Sequence, residues 1–157
     1  MSKEDLLEAL RVSGEDVMRQ IAAVPSADLG TGRYENRWNG RQILAHLAAI
    51  EWTYPRLLSA GESTGGASDR ENAPRGGMDG YNARQVEKRS DASVAQLLSE
   101  FEQNRAATIA AVEAADETTF TRPVHSAGGR TGTVARVLYE VAVLHVQQHV
   151  RDIVGGG

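Results

Sequence analysis

The sequence contains no cysteine among its 157 residues. Its own side chains therefore supply no disulfide, no thiolate metal ligand and no cysteine nucleophile, and any thiol chemistry requires a thiol from outside. The chain also lacks an apolar run of the roughly 18 residues that a membrane span needs, and its first residues lack the apolar core of a signal peptide. We expect a cytoplasmic protein that does not enter a membrane.

Positive charge is not in excess, because 17 Lys and Arg residues stand against 21 Asp and Glu residues and give a net charge of −4. The basic residues are scattered rather than gathered into a stripe, so nucleic acid is not an expected partner. Hydrophobic residues make up 41% and charged residues 24% of the chain, which is typical of globular proteins. At this length the composition predicts a single folded domain over residues 1–157.

Glycine is absent from three long windows, residues 41–60, 81–127 and 133–154. Each window carries apolar residues at steps of three and four, which is the helical period and predicts an all-α fold. We expect helices over residues 3–24, from residue 39 or 40 with a kink at Pro55, from residues 90–93 to 115, and from residue 131 or 133 to the final glycines. Four such helices predict a four-helix bundle.

The predicted connection between the second and third helices is long and rich in glycine, covering residues 61–90. Antiparallel neighbours in a bundle are usually joined by about 2 to 8 residues, so a segment of this length can return along the bundle. The second and third helices could then run parallel, in an up-down-down-up order with a crossover between them. The same segment could instead be a lid.

Three of the four histidines fall on predicted inward faces: His46 in the second helix and His145 with His149 in the fourth. Side chains at positions i and i+4 are neighbours on a helix, so the second pair can bind one metal ion. A single inward histidine is usually a hydrogen-bonded core residue, but three unpaired imidazoles in one apolar interior would each cost about 1 to 3 kcal/mol. A shared divalent metal would satisfy them together, and three neutral nitrogens suit Zn, Ni, Fe or Co and leave positions open for water or substrate.

The segments WNGRQILAHLAAIEW and GRTGTVARVLYEVAVLHVQQHVRDI, with the helix between them, resemble the DinB-like superfamily of four-helix metalloproteins. The resemblance covers almost the whole chain and places the family's metal ligands at His46, after Trp38, and at His145 and His149. It implies the up-down-down-up bundle, a divalent metal, with Zn or Ni favoured over Fe, Co or Mn, and frequent homodimers. Characterised relatives include isomerases and S-transferases that use mycothiol or bacillithiol, which suits a chain without cysteine.

Four other residues are candidates for the site. Arg105 lies on the inward stripe of the third helix and could bind an anionic substrate or a carboxylate of a thiol cofactor, or reach out to one end of the bundle. His125 could act as acid or base at the mouth of the site, or lie on the surface. Trp52 and Tyr81 could line a pocket for cofactor or substrate, or simply pack in the core.

The sequence therefore favours a metal-dependent thiol transferase or isomerase acting on a small electrophile. A metal-dependent hydrolase of small esters or amides would share the same site. A non-catalytic metal-binding stress-response protein is the third hypothesis, because Asp152 is the one acidic residue within a turn of the histidines on their face. In a fourth, the histidines are core polar groups of an interaction module.

Overall fold

The computed structural model describes residues 1–30, 38–60, 77–125 and 130–154, and these are mostly helical. The helices are α1 Lys3–Ala22, α2 Ser26–Leu29, α3 Gly40–Glu51, α4 Arg56–Ala60, α5 Gly77–Lys88, α6 Val94–Ala114, α7 Val134–Tyr139 and α8 His145–Val154. A π-helical segment, Glu140–Leu144, joins α7 to α8 without a break, and a 3₁₀ turn spans Glu117–Thr121. Two short strands, β1 Pro123–His125 and β2 Thr131–Thr133, pair antiparallel.

The long helices begin where their sequences provide capping side chains. Ser2, Asn39 and Ser93 each accept a hydrogen bond from the backbone N–H three residues on, and the side chain at that third position accepts one in return. This reciprocal capping satisfies N–H groups that have no partner inside a helix. Thr133 caps α7 in the simpler one-sided way. The predicted starts of the second, third and fourth helices are confirmed.

Contacts between helix ends give the topology. Lys3 Nζ, at the start of α1, donates to the carbonyls of Glu113 and Ala115 at 2.7 and 3.0 Å, so α1 and α6 are antiparallel. Arg41, in the first turn of α3, donates to the carbonyls of Arg89, Ser90 and Ala92 just before α6, so α3 and α6 are parallel.

The last helix closes the same topology. Gly40, at the start of α3, lies against Ile153 near the end of α8, so these two helices are antiparallel. The order is the up-down-down-up arrangement of the sequence prediction, and the all-α class is confirmed. No helix within the described residues is long and apolar enough to span a membrane.

Two local predictions are corrected. The connection predicted over residues 61–90 contains a helix, α5, which packs against α3 through the buried Val86, and the preceding residues 61–76 lie outside the described ranges. The β1–β2 ribbon was not expected in an all-α chain. It forms because Val124 on β1 is buried against the core and because Gly132 on β2 has a φ of 147°, a conformation that favours glycine.

The apolar core consists of two clusters. One contains Ile21, Leu44, Leu97, Phe101 and Ile153, and the other contains Leu6, Leu10, Val112, Val134 and Leu138, among others. On each of α1, α3 and α6, buried polar residues separate the part of the helix that belongs to one cluster from the part nearest the other. This buried polar layer consists of Ser13, Glu51, Arg105 and Thr108.

Candidate metal centre

The structure brings His46, His145 and His149 together between α3 and α8. One ring nitrogen from each histidine can be chosen so that all three lie within 4.8 Å of one another. The Nε2 atoms of His145 and His149 are 2.9 Å apart, and the ring of His46 stands edge-on to both, with centroid distances of 6.0 and 5.1 Å. Two ring nitrogens this close require a shared proton or a shared cation.

The imidazoles are held in their neutral form. His46 is only 4% exposed, and burial, followed by the charges of His149 and His145, lowers its pKa to about 3. Burial also lowers the pKa of His145 to about 4, with His149 and Arg130 contributing, and lowers the pKa of His149. Neutral imidazole is the form that binds a metal, so these three residues suit a metal ion at neutral pH.

The surroundings of the histidines support this fit. The Nδ1 atom of His149 is buried and has no hydrogen-bond partner within the described residues, and the nearest Asp152 oxygen is 3.9 Å away. The indole of Trp38 lies 5.4 Å from the ring of His46 and covers one side of it. Histidines that bind metals commonly donate their second ring N–H to a carboxylate, which orients the ring. The carboxylate of Asp152 needs only a small movement to take this role. The donor set, three neutral nitrogens without thiolate, is one that zinc, nickel and related metals accept.

The π-helical segment changes which residues of the last helix face inward. A regular period predicted Val141, Gln148 and Asp152 on the face of His145, with Leu144 beside it. Instead Ala142, Val146 and Val150 are buried, Gln148 is exposed, and Leu144 is 46% exposed. The histidines lie at the edge of this buried stripe, half-buried rather than central.

Arg105 is inward, as predicted, but it is 3% exposed and belongs to the polar layer. It donates to Glu51 through Nε and Nη2 at 3.0 and 2.9 Å, to Leu10 O at 2.8 Å, to Ser13 Oγ at 2.7 Å and to Ala142 O at 2.6 Å. All five N–H donors of the guanidinium are therefore engaged, and none is left for an anionic ligand in this arrangement.

The acidic partner in this layer is completely buried. Glu51 also accepts a hydrogen bond from Thr108 Oγ1 at 2.8 Å. Burial raises the pKa of Glu51, while the charge and hydrogen bonds of Arg105 oppose that rise. A pair of this kind is expensive to break, because removal of either partner leaves an uncompensated buried charge.

The remaining candidates are not among the residues that form the histidine cluster. His125 is exposed on β1 and pairs through its backbone with Thr131. Trp52 is 54% exposed, with the guanidinium of Arg56 stacked 4.3 Å from its ring centroid, and Tyr81 is half-buried on α5. In the ranges that the structure describes, no ring contact joins His125, Trp52 or Tyr81 to the three histidines.

Sequence reasoning missed three residues near the site. Arg130 precedes β2 and lies close enough to His145 to lower its pKa, and Tyr54 donates from its hydroxyl to Val141 O at 3.0 Å. The burial of Glu51 was not predicted. Its position, five residues after His46 on an otherwise apolar helix face, could have indicated it.

Solved structures share this fold. A mycothiol-dependent maleylpyruvate isomerase aligns with a TM-score of 0.75 at 18% identity, covering 98% of this chain and 61% of the isomerase. A histidine-to-alanine mutant of that isomerase aligns with a TM-score of 0.76 at 19% identity and with the same coverage. The chain thus spans about three fifths of the isomerase's length. No curated protein sequence matches the chain.

A third structure covers more of its own chain. YfiT from Bacillus subtilis, described as a probable metal-dependent hydrolase with an unusual four-helix bundle topology, aligns with a TM-score of 0.68 at 15% identity. The alignment covers 98% of this chain and 85% of YfiT. At these identities the similarity is one of fold. The sequence model of the DinB superfamily matches residues 9–153, which include all three histidines, and the chain therefore belongs to the DinB superfamily.

Proposed function

We propose that this protein is a metal-dependent enzyme that uses a low-molecular-weight thiol, of the mycothiol or bacillithiol type, to attack a small electrophile. As an S-transferase it would leave the thiol bonded to the product, and as an isomerase it would release the thiol again. The observation that carries the proposal is the convergence of three neutral imidazoles, His46, His145 and His149, at one side of the bundle. These residues would hold a divalent metal, with zinc and nickel the favoured ions. A bound metal supplies Lewis acidity, which lowers the pKa of a thiol or a water molecule toward neutrality.

The protein's own residues favour a thiol over water as the nucleophile. Within the described residues, the carboxylate nearest the histidines is Asp152, and it approaches the Nδ1 of His149 rather than the nitrogen that faces His145. The arrangement therefore lacks a carboxylate placed to take a proton from an attacking water. An incoming thiol is more acidic than water and needs this help less. The similarity of fold to a mycothiol-dependent isomerase supports the same choice.

Arg130 gives the site a preference for anions. After burial and the charge of His149, its guanidinium contributes to the lowered pKa of His145, and it also acts on Tyr54, so Arg130 lies near both residues. It forms an ion pair with Glu140 at 3.4 Å, but Glu140 also pairs with Arg136 at 3.1 Å and so keeps a partner when Arg130 turns to a ligand. A carboxylate on the electrophile or on the thiol would match this cation.

Metal content tests the first step of the proposal. Untagged wild-type protein, the His46→Ala variant and a His125→Ala control would be loaded with zinc, freed of excess, and analysed by plasma mass spectrometry. We expect about one zinc per chain in the wild type and in the control, because His125 is not one of the three histidines whose ring nitrogens converge. We expect little zinc in His46→Ala, which loses one of three ligands. A full equivalent in His46→Ala would refute this ligand set.

Thiol dependence tests the second step. The loaded protein would be given monochlorobimane with and without mycothiol or bacillithiol, and in parallel p-nitrophenyl acetate without thiol. The proposal expects conjugation that requires both the thiol and His46. Ester hydrolysis without thiol would instead support the metal-dependent hydrolase, which the similarity of fold to YfiT favours. Metal binding without either activity would leave the non-catalytic metal-binding protein. The homodimer and the cytoplasmic location stay predictions.

A further inference from the structure

The last helix is interrupted one turn before the histidine pair. Through Glu140–Leu144 the chain forms a π-helical turn, and the N–H of His145 donates to Glu140 O, five residues back instead of four. Such a turn accommodates one extra residue in an α-helix and is often found at functional sites. The π-helical turn therefore determines the direction in which the side chains of the following residues point, including those of His145 and His149.

The buried stripe of this helix shows the size of the effect. The buried residues Val134, Leu138, Ala142, Val146 and Val150 follow one another in steps of four. In a regular helix each step of four overshoots a full turn by about 40°, so five such residues would drift by about 160° around the axis. The wider π-helical turn absorbs part of this drift. If the helix did not accommodate the extra residue at this turn, the residues that follow, including His145 and His149, would be rotated by about 100° around the helix axis.

Two side chains from other helices hold this turn. Tyr54, just after α3, donates its hydroxyl to Val141 O at 3.0 Å, and Arg105 of α6 donates Nη2 to Ala142 O at 2.6 Å. Both donors are themselves fixed: Tyr54 is 3% exposed, and Arg105 is held by its four other hydrogen bonds to α1 and α3. Buried carbonyl groups bonded in this way strongly favour one backbone arrangement over others.

We propose that Tyr54 and Arg105 are positioning residues, which hold the π-helical turn Glu140–Leu144 through Val141 O and Ala142 O and thereby direct His145 and His149 toward His46. The consequence for metal binding rests on the proposed function, but the direction of the imidazoles does not. The buried Arg105–Glu51 pair then has a purpose beyond stability, because it connects the core to the geometry of the histidine site.

The test compares two variants that each remove one buried hydroxyl. Tyr54→Phe deletes the hydrogen bond to Val141 O, whereas Thr119→Val deletes a hydrogen bond from Arg122 and leaves both Arg105 and the π-helical turn untouched. Tyr139→Phe is a second control, because this tyrosine packs in the same cluster as Tyr54 and its hydroxyl makes none of the described hydrogen bonds. Thermal unfolding of each variant shows whether its stability has changed, so that a loss of stability can be distinguished from a change in the direction of the imidazoles.

The first readout needs no metal. In metal-free wild type, nuclear Overhauser effects are expected between the ring protons of His46 and His149, whose centroids are 5.1 Å apart. We expect these effects to weaken in Tyr54→Phe and to disappear in the double variant Tyr54→Phe with Arg105→Lys, and to persist in both controls. Unchanged effects in a folded Tyr54→Phe would overturn the proposal.

The second readout is Co²⁺ binding, followed by the visible absorption of the bound ion. We expect the Kd of Tyr54→Phe to rise at least roughly tenfold, as for other residues that orient a metal ligand indirectly, and the Kd of Thr119→Val to stay near that of wild type. Equal losses of affinity in Tyr54→Phe and Thr119→Val would show a purely structural effect and overturn the proposal. If wild type binds no Co²⁺ while the ring-proton effects change as expected, the proposed function fails and the positioning role stands.

Discussion

At the scale of single residues, the charge of Arg130 acts on one of the three neutral imidazoles, that of His145. Arg130 lowers the pKa of His145, so its positive charge is felt at the ring nitrogens. A positive charge that keeps a histidine unprotonated also attracts an anion once a metal occupies the histidines. Arg130 was overlooked in the sequence because a lone arginine in a glycine-rich loop has no periodic pattern that would reveal its position.

Substituting Arg130 by glutamine should therefore raise the pKa of His145 above about 4, while burial, the largest cause of the lowered pKa, and the charge of His149 remain. The sign follows from Coulomb's law, since removing a nearby positive charge makes protonation of the imidazole less unfavourable. The pKa of His145 would be measured from the pH dependence of its ring-proton chemical shifts in the metal-free protein. Arg136→Gln is the matched control, because Arg136 pairs with the same Glu140 but is not among the causes of the lowered pKa. Equal effects of both substitutions would contradict the placement of Arg130 at the site.

At the scale of secondary-structure elements, what the sequence could predict was limited by how local the determining interactions are. The starts of α3, α6 and α7 were predictable because Asn39, Ser93 and Thr133 cap their own helices. The π-helical turn was not predictable, because the side chains that donate hydrogen bonds to it, those of Tyr54 and Arg105, are distant in sequence. A regular period consequently placed Gln148 on the inward face and Leu144 beside it, whereas both are exposed. The spacing of His145 and His149, both beyond the π-helical turn, was unaffected.

The pairing of α1 with α6 depends on a missing side chain. A Cβ atom built on Gly14, in the middle of α1, would lie 3.1 Å from Cγ of Arg105. That contact is tighter than ordinary packing, and Arg105 cannot easily retreat because five hydrogen bonds hold its guanidinium. Glycine at this position therefore permits the buried arginine.

We expect Gly14→Ala to lower the stability of the protein, although alanine is the better helix former by about 1 kcal/mol. Overpacking in a core costs about 1 to 3 kcal/mol, so the net loss should be about 1 kcal/mol, or roughly 2 to 4 °C in Tm. Thermal unfolding measures the effect. Ala107→Gly, at an exposed position of α6, gives the contribution of helix propensity alone. If Gly14→Ala instead stabilises the protein by as much as Ala107→Gly destabilises it, the contact with Arg105 relaxes freely.

At the scale of the whole molecule, the histidine site joins parts of the chain that are about a hundred residues apart, His46 on α3 and His145 with His149 on α8. These two helices are antiparallel and both contribute buried residues to the apolar cluster that contains Ile21 and Phe101, so the imidazoles are buried by the same packing that forms the fold. Burying three titratable groups connects the free energy of unfolding to pH. A metal that binds only the folded chain would add about 2.7 kcal/mol at a free concentration of a hundred times its Kd.

Without metal, the stability of the protein should fall as the pH drops from about 7 to about 4. In the folded protein the pKa of His46 is about 3 and that of His145 about 4, whereas in the unfolded chain both return to about 6.5. Between these values the unfolded chain binds protons that the folded protein does not, so the free energy of unfolding decreases by up to about 1.4 kcal/mol per pH unit for each histidine. The loss begins as the pH falls through 6.5 and levels off below the folded pKa values.

Unfolding curves of the metal-free protein at a series of pH values would measure this dependence, with His46→Gln and His125→Ala compared against wild type. His46→Gln replaces a buried titratable ring by a neutral side chain, so its stability should depend less steeply on pH between 6.5 and 4, even if its stability at pH 7 is lower. His125→Ala should keep the slope of wild type, because His125 is exposed on β1. An equal slope in His46→Gln and wild type would mean that His46 is as easily protonated in the folded protein as in the unfolded chain. The ring would then compete poorly for a metal near neutral pH, because the proton and the metal bind the same nitrogen.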